Sequence, residues 1–256
     1  MAVIKHEFPI LEYDDSPGAV IQPDHERLNL KLPPKAVFAF LGGCIGRYAK
    51  EQGLTPVAEF ISITKKYPVY VMNYKGEDIC LCQAPVGAPA AVQIMDWLIG
   101  YGVKTIISSG SCGALTDLPE NTFMLPTKAL RDEGTSYHYL PPSRYVELDR
   151  SVLSSMRQTL ERLGLPCTEC ITWSTDGFFR ETKEKVAYRK SEGCSVVEME
   201  CAALAACAQL RNVKFGQLLF TADSLANADA YDERDWGKDS MEKALTLSLE
   251  LVSDLN

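Results

Sequence analysis

The chain is short of histidine, with three in 256 residues, and no apolar run in it approaches the twenty or so residues a membrane span needs. Its first residues, Met1 to His6, lack the apolar core of a secretory signal. The nine cysteines form no short disulfide framework, and with histidine scarce they do not make a metal site. Cys44, Cys80, Cys82, Cys112, Cys201 and Cys207 lie among apolar or small residues, as reduced core thiols of a cytoplasmic protein do. Basic stripes are missing as well. A net charge of −8 excludes a general nucleic-acid binder, although a pocket can still be locally positive. No repeat or low-complexity tract interrupts the chain.

With 46% hydrophobic residues the chain can bury a large core and fits one large domain. Residues 1–34 read as an irregular segment, punctuated by Pro9, Pro17, Gly18, Pro23, Pro33 and Pro34, that packs on the domain or on a neighbouring subunit. From residue 35 to 256 strands and helices alternate. Strand-like runs fall at Ala36–Leu41, Tyr67–Tyr74, Ile79–Ala84, Thr105–Ser109, Thr122–Leu125, Glu169–Ser174, Cys194–Val197 and Lys214–Thr221. Helical patterns begin near Arg47 and fill Ala88–Tyr101, Asp149–Leu163, Thr182–Ser191, Glu200–Arg211 and Lys238–Leu255. This alternation predicts an α/β layered domain with a central sheet.

Val196-Val197-Glu198-Met199-Glu200 carries the most chemistry. Two β-branched residues end a buried strand, and an Ala/Leu helix follows. In extended backbone Glu198 and Glu200 project from one face, with Met199 beside them as an apolar wall. A carboxylate facing a vicinal diol accepts two hydrogen bonds, the usual grip on a ribose. Acids in the first turn of a helix also suit its dipole, and spacing alone does not separate these readings. Gly42-Gly43-Cys44-Ile45-Gly46-Arg47 is a glycine turn between strand and helix, a form that admits an oxyanion to backbone N–H groups but is common in α/β proteins. Ile106 to Leu115 is a buried strand opening into a Gly/Ser turn. Arg131 to Pro142 reads as a shaped loop with tyrosines. Thr175 to Thr182 places Phe178 beside Arg180, a ring and a guanidinium able to stack on a base and read its carbonyl edge.

In this order, from about Ala36 to Asp223, the segments resemble the nucleoside phosphorylase and nucleosidase superfamily, uridine phosphorylases and hexameric purine nucleoside phosphorylases above all. The resemblance implies a single three-layer α/β/α domain with a mixed, partly barrel-like sheet. It implies phosphorolysis of a nucleoside, with inorganic phosphate as co-substrate, no cofactor or metal, and a dimer-based homo-oligomer, in some members a hexamer. Gly43 and Arg47 match the phosphate loop, whose usual Asp and Pro are replaced by Cys44 and Ile45. Ser111 matches the hydroxyl residue that touches phosphate and ribose. Glu198, Met199 and Glu200 match the ribose segment, and Phe178 the base-stacking ring. Asp223 matches the aspartate that protonates a leaving purine.

There are departures. Ser108 stands where phosphorylases usually carry a phosphate arginine, as nucleosidases also lack it. Lys65, counted back from Tyr74-Lys75-Gly76, falls where the family has an arginine donated by a neighbouring subunit. The segment Arg131–Pro142, with His138, is similar to one in uridine phosphorylases and tilts the expectation toward uridine, whereas Asp223 points to a purine. His25 sits at a spacing close to that of a subunit-crossing ribose histidine, without matching neighbours.

Overall fold

Lys35–Phe40 (β1) is buried at all four central positions, a pattern that demands cover on both faces. The cover is a three-layer α/β arrangement, seen in the computed structural model, which describes residues 3–16 and 18–255. Met1, Ala2, Asn256 and Pro17, one of the prolines of the N-terminal segment, lie outside the described residues.

Parallel to β1 run β4 (Glu77–Gln83) on one side and β5 (Thr105–Ala114) on the other. Beyond β4, the antiparallel strands β3 (Lys66–Tyr74) and β2 (Ala58–Ile61) form the far edge. On the other side β5 pairs in parallel with β10 (Lys214–Ser224), with Gln217 opposite Ser108. From β10 the sheet passes through β6 (Phe123–Asp132) and β8 (Thr168–Thr175) to β9 (Cys194–Glu198). β9 then meets the end of β5 again, Val197 opposite Gly113. Five strands thus close into a ring, and β1–β4 extend from it as a flat wing. A short strand, β7 (Tyr145–Glu147), lies on β6.

Helices α1 (Cys44–Glu51), α3 (Arg150–Arg162) and α6 (Met241–Asp254) pack on one face, α2 (Ala88–Gly100) and α5 (Cys201–Arg211) on the other, and α4 (Lys183–Ser191) against β9. Gly216 of β10 admits α3 closely: a Cβ there would lie 2.4 Å from Met156 Sδ. The Asp149 side chain caps α3 by accepting from Ser151 N (2.7 Å) and Val152 N (3.2 Å), and Thr182 caps α4. The N-terminal segment has one 3₁₀ turn, Pro9–Leu11, and packs along α2 of its own domain. There Trp97 Nε1 donates to Glu26 (2.8 Å) and Leu32 N to the Tyr101 carbonyl (2.8 Å).

Three expectations change. The turn expected after Ser109 is strand to Ala114, because Gly110 and Gly113 let neighbouring chains approach a still-extended backbone. β6 runs on to Asp132 although Pro126 sits inside it, because the pairing to β8 is irregular between Pro126 and Lys128. The edge strands β2 and β7 are too short and exposed to show a pattern. Cys167 and Cys170, a CxxC spacing at the start of β8, pack in separate clusters, and all nine cysteines are free thiols. No described helix is long and apolar enough to cross a membrane.

Candidate active site

Ring closure brings the ends of β5, β9 and β10 together, outside the carboxyl ends of parallel strands, where open α/β sheets bind ligands. A cavity of about 160 Å³ opens there, lined by Phe40, Ser111, Glu198, Met199, Glu200 and Asp223 among others. It adjoins a chamber of about 450 Å³, with Phe178, Glu181, Asp223 and Trp236 lining both.

Glu198 ends β9 and is 7% exposed. Its Oε1 accepts from Thr172 Oγ1 (3.1 Å) and Ser174 Oγ (2.5 Å) on β8. Its Oε2 accepts from the Glu200 and Cys201 N–H groups, both at 2.7 Å, and so caps α5. Four hydrogen bonds occupy the lone-pair directions of the carboxylate. Both acids line the cavity, but Glu198 is spent on bracing strand and helix.

Glu200, 6% exposed, accepts from Gly87 N through Oε1 (2.6 Å). Burial first, then the Glu198 charge, pushes its carboxyl up to about 8. Gly87 presents that N–H with φ at +100°, a conformation side chains rarely adopt. Met199, half-buried, lines the cavity between the two acids.

Asp223, at the end of β10, sits where the two chambers meet. Burial raises its pKa, while the Tyr231 hydroxyl, donating to Oδ2 (3.1 Å), partly opposes the rise. Gly113 leaves the carboxyl its space, since a Cβ there would lie 3.2 Å from Asp223 Oδ1. Phe178 is partly exposed on the wall of the larger chamber. Arg180 is exposed and lines neither cavity; the next residue, Glu181, lines both. Burial, and after it the Asp223 charge, pushes Glu181 up to about 7.

The glycine turn with Gly43 and Arg47 follows β1 directly. Phe40 pairs with Gly110, and the chain turns through Gly42 and Gly43 into α1 immediately after it. Arg47 folds back over Gly43, its guanidinium 3.3 Å from where a Cβ would stand. Its other neighbours are Cys44 Sγ (3.0 Å) and Glu242 (3.6 Å), an exposed and weak pairing. Gly43 and Arg47 line neither chamber, and among the described residues no lysine or arginine lines the smaller cavity. Lys65 is far from it, on the β2–β3 hairpin, its ammonium 5.2 Å from the Tyr67 ring. Gln217, which lines the smaller cavity, and Ser108, opposite it on β5, have a buried Oε1 and a buried Oγ without hydrogen-bond partners.

The Arg131–Pro142 segment lies elsewhere. Arg131 is a buried knot for its own loop, donating to Ser136 Oγ, Ser143 Oγ and the Leu140 and Pro141 carbonyls. His25 and His138 line a separate cavity of about 760 Å³ against α2. Sequence reasoning missed Gln217, Glu181, Tyr231 and Trp236. A lone amide inside an apolar strand was a signal for Gln217, and an acid beside Arg180 for Glu181. Tyr231 and Trp236 lie in aperiodic chain that gave none.

Comparison with known proteins agrees with this geometry. The family model described as the phosphorylase superfamily matches residues 35–255. A guanosine phosphorylase of Halorubrum lacusprofundi is 26% identical over 224 residues, covering 85% of this chain and 93% of the relative. A purine nucleoside phosphorylase structure from Toxoplasma gondii superposes with a TM-score of 0.72 at 19% identity, covering 93% of this chain and 98% of that one. An AMP nucleosidase structure from Bacteroides thetaiotaomicron gives 0.70 at 23%, covering 87% and 88%.

Proposed function

Because the chain belongs to the phosphorylase superfamily, we propose that it is a nucleoside phosphorylase, cleaving a purine nucleoside with inorganic phosphate to free base and ribose 1-phosphate. One observation carries the reading: Glu200 stands in the small chamber, and Asp223, whose pKa burial raises, at the junction with the larger one. The first grips sugar hydroxyls and the second serves a leaving base.

Breaking the C1′–N bond sends its electron pair to the base and leaves positive charge on the sugar carbon. Asp223 donates its proton to the purine N7 as the bond lengthens. Phosphate, held with the help of the Gly43 N–H and the Arg47 guanidinium, forms the new C1′–O bond. Ser111 and Met199 contact the ribose, and Phe178 stacks on the base. Holding two reactants in one cavity supplies a large part of the rate, and the reading needs no cofactor. Uridine, which the Arg131–Pro142 segment favours in the sequence, is less well supported, since that segment lines neither chamber. Lys65 lies on the edge hairpin away from its own cavity, and in the dimer-based homo-oligomer of this reading it would serve a neighbour's.

A second reading, hydrolysis of the same bond by water, is favoured by the cation-free lining and by Ser108. Chromatography of guanosine, inosine and uridine incubated with and without phosphate tests both. Free purine with ribose 1-phosphate, formed only with phosphate, is the expected result. Free ribose in both tubes would establish the nucleosidase instead, and cleavage of uridine alone would overturn the purine assignment.

A further inference from the structure

Gln217 is 1% exposed, lines the smaller cavity, and has a buried Oε1 with no partner. Ser108, directly opposite on β5, is fully buried with an unpartnered Oγ. Paired residues of parallel strands point to the same face, so the Ser108 hydroxyl lies beside Gln217, the one of the two that lines the cavity. Buried polar atoms without partners are rare and costly, and two together mark a place where a ligand supplies the partners. The surroundings restrict that ligand. Glu181, Glu198, Glu200 and Asp223 all line the cavity, and among the described residues no lysine or arginine does. A dianion in this cavity loses its hydration without a paired charge to replace it. A phosphate carrying two protons bears a single charge, and it also has a P–OH to offer an acceptor.

We propose that Gln217 and Ser108 are the residues that select the attacking nucleophile, binding phosphate as its monoanion: the P–OH donates to Gln217 Oε1 while Ser108 Oγ donates to a phosphate oxygen. This rests on the phosphorolytic reading. It assigns to an uncharged amide and hydroxyl the work that a guanidinium does for a dianion, and the protonated oxygen leaves with the ribose 1-phosphate.

Initial rates at pH 6.5 with guanosine and varied phosphate test it in the wild type, Gln217→Leu and Ser108→Ala. Losing a buried hydrogen bond to an ion raises the phosphate KM by about tenfold or more in Gln217→Leu. Ser108→Ala gives a smaller rise in the same direction, and the guanosine KM stays within about twofold in both. Sulfate, which carries no proton at this pH, competes at least about tenfold more weakly than phosphate binds. An unchanged phosphate KM in both variants overturns the proposal, and a matching rise in both substrates' KM reduces it to pocket collapse. Sulfate competing as well as phosphate refutes the monoanion. Wild-type turnover without phosphate refutes the phosphorolytic reading itself, an outcome distinct from the others. Gln217→Leu keeps side-chain volume in an apolar strand; should it fail to fold, Ser108→Ala decides alone.

Discussion

Glu200→Gln has two consequences of opposite sign. Gly87 N occupies one oxygen of the carboxylate at 2.6 Å, so the amide keeps its carbonyl there and turns an NH₂ toward the sugar. Above about pH 8, where Glu200 ionises, its charge-assisted bonds to ribose hydroxyls are each worth about 1.5–3 kcal/mol. A net loss of about 3 kcal/mol lowers kcat/KM for guanosine about a hundredfold. Stability moves the other way at alkaline pH. Raising a buried carboxyl from 4.5 to about 8 means that ionising it costs the fold at most about 5 kcal/mol at pH 9. The amide avoids that cost and returns about 1 kcal/mol through a weaker bond to Gly87. The variant should melt about 10 °C above the wild type at pH 9 and close to it at pH 5.5. Phosphorolysis followed in the ultraviolet and calorimetry at the two pH values provide the readouts. Activity within threefold of the wild type would refute the sugar grip, and a melting difference independent of pH would refute the buried ionisation.

Asp223→Asn should slow inosine cleavage by about a hundredfold or more, but 7-methylguanosine, whose base leaves without needing a proton, far less; equal losses on both would remove the general acid. Glu181 and Glu200 titrate at about 7 and 8 in the fold, above their unfolded value. Their contribution to stability is therefore complete below about pH 4.5 and lost as pH rises through 7 and 8. The melting temperature should fall from pH 6 to pH 9, and more shallowly in Glu181→Gln. Gly113→Ala would push a methyl to 2.9 Å from Leu225 Cδ1 and 3.2 Å from Asp223 Oδ1. It should cost about 1–3 kcal/mol of stability and cut turnover, with the loss checked against Asp223→Asn in a double-mutant cycle.

Much of this molecule could be read from its residues, for reasons that particular elements make plain. Buried parallel strands such as Lys35–Phe40 announce themselves as continuous apolar runs, and helices such as Arg150–Arg162 carry a cap and a period. The motif around Glu198 and Glu200 was legible as a pair of acids, but not which one the backbone would consume. That depended on Thr172, Ser174 and two N–H groups brought together only by the pairing of β8 with β9. Arg180 and Glu181 illustrate the same limit at shorter range. A 3₁₀ turn at Phe178–Arg180 points one outward and the next inward, and no periodicity signals so short a turn. Gln217 and Ser108 are more than a hundred residues apart, and register alone makes them neighbours.

The closed ring of β5, β10, β6, β8 and β9 also sets where the molecule can breathe. Every strand of the ring has neighbours on both sides, so opening any one of them breaks two ladders at once. Amide protons of Ser108, Gln217 and Glu198 should therefore exchange on the slowest timescale of the fold, while the β2–β3 hairpin at the free edge exchanges early. Tyr231 and Trp236 lie on the irregular stretch after β10, and Phe178 on a single turn. A rigid floor with walls of loop makes entry and exit at the base chamber the parts of the catalytic cycle that temperature and viscosity govern, leaving the geometry beneath the sugar unchanged from one turnover to the next.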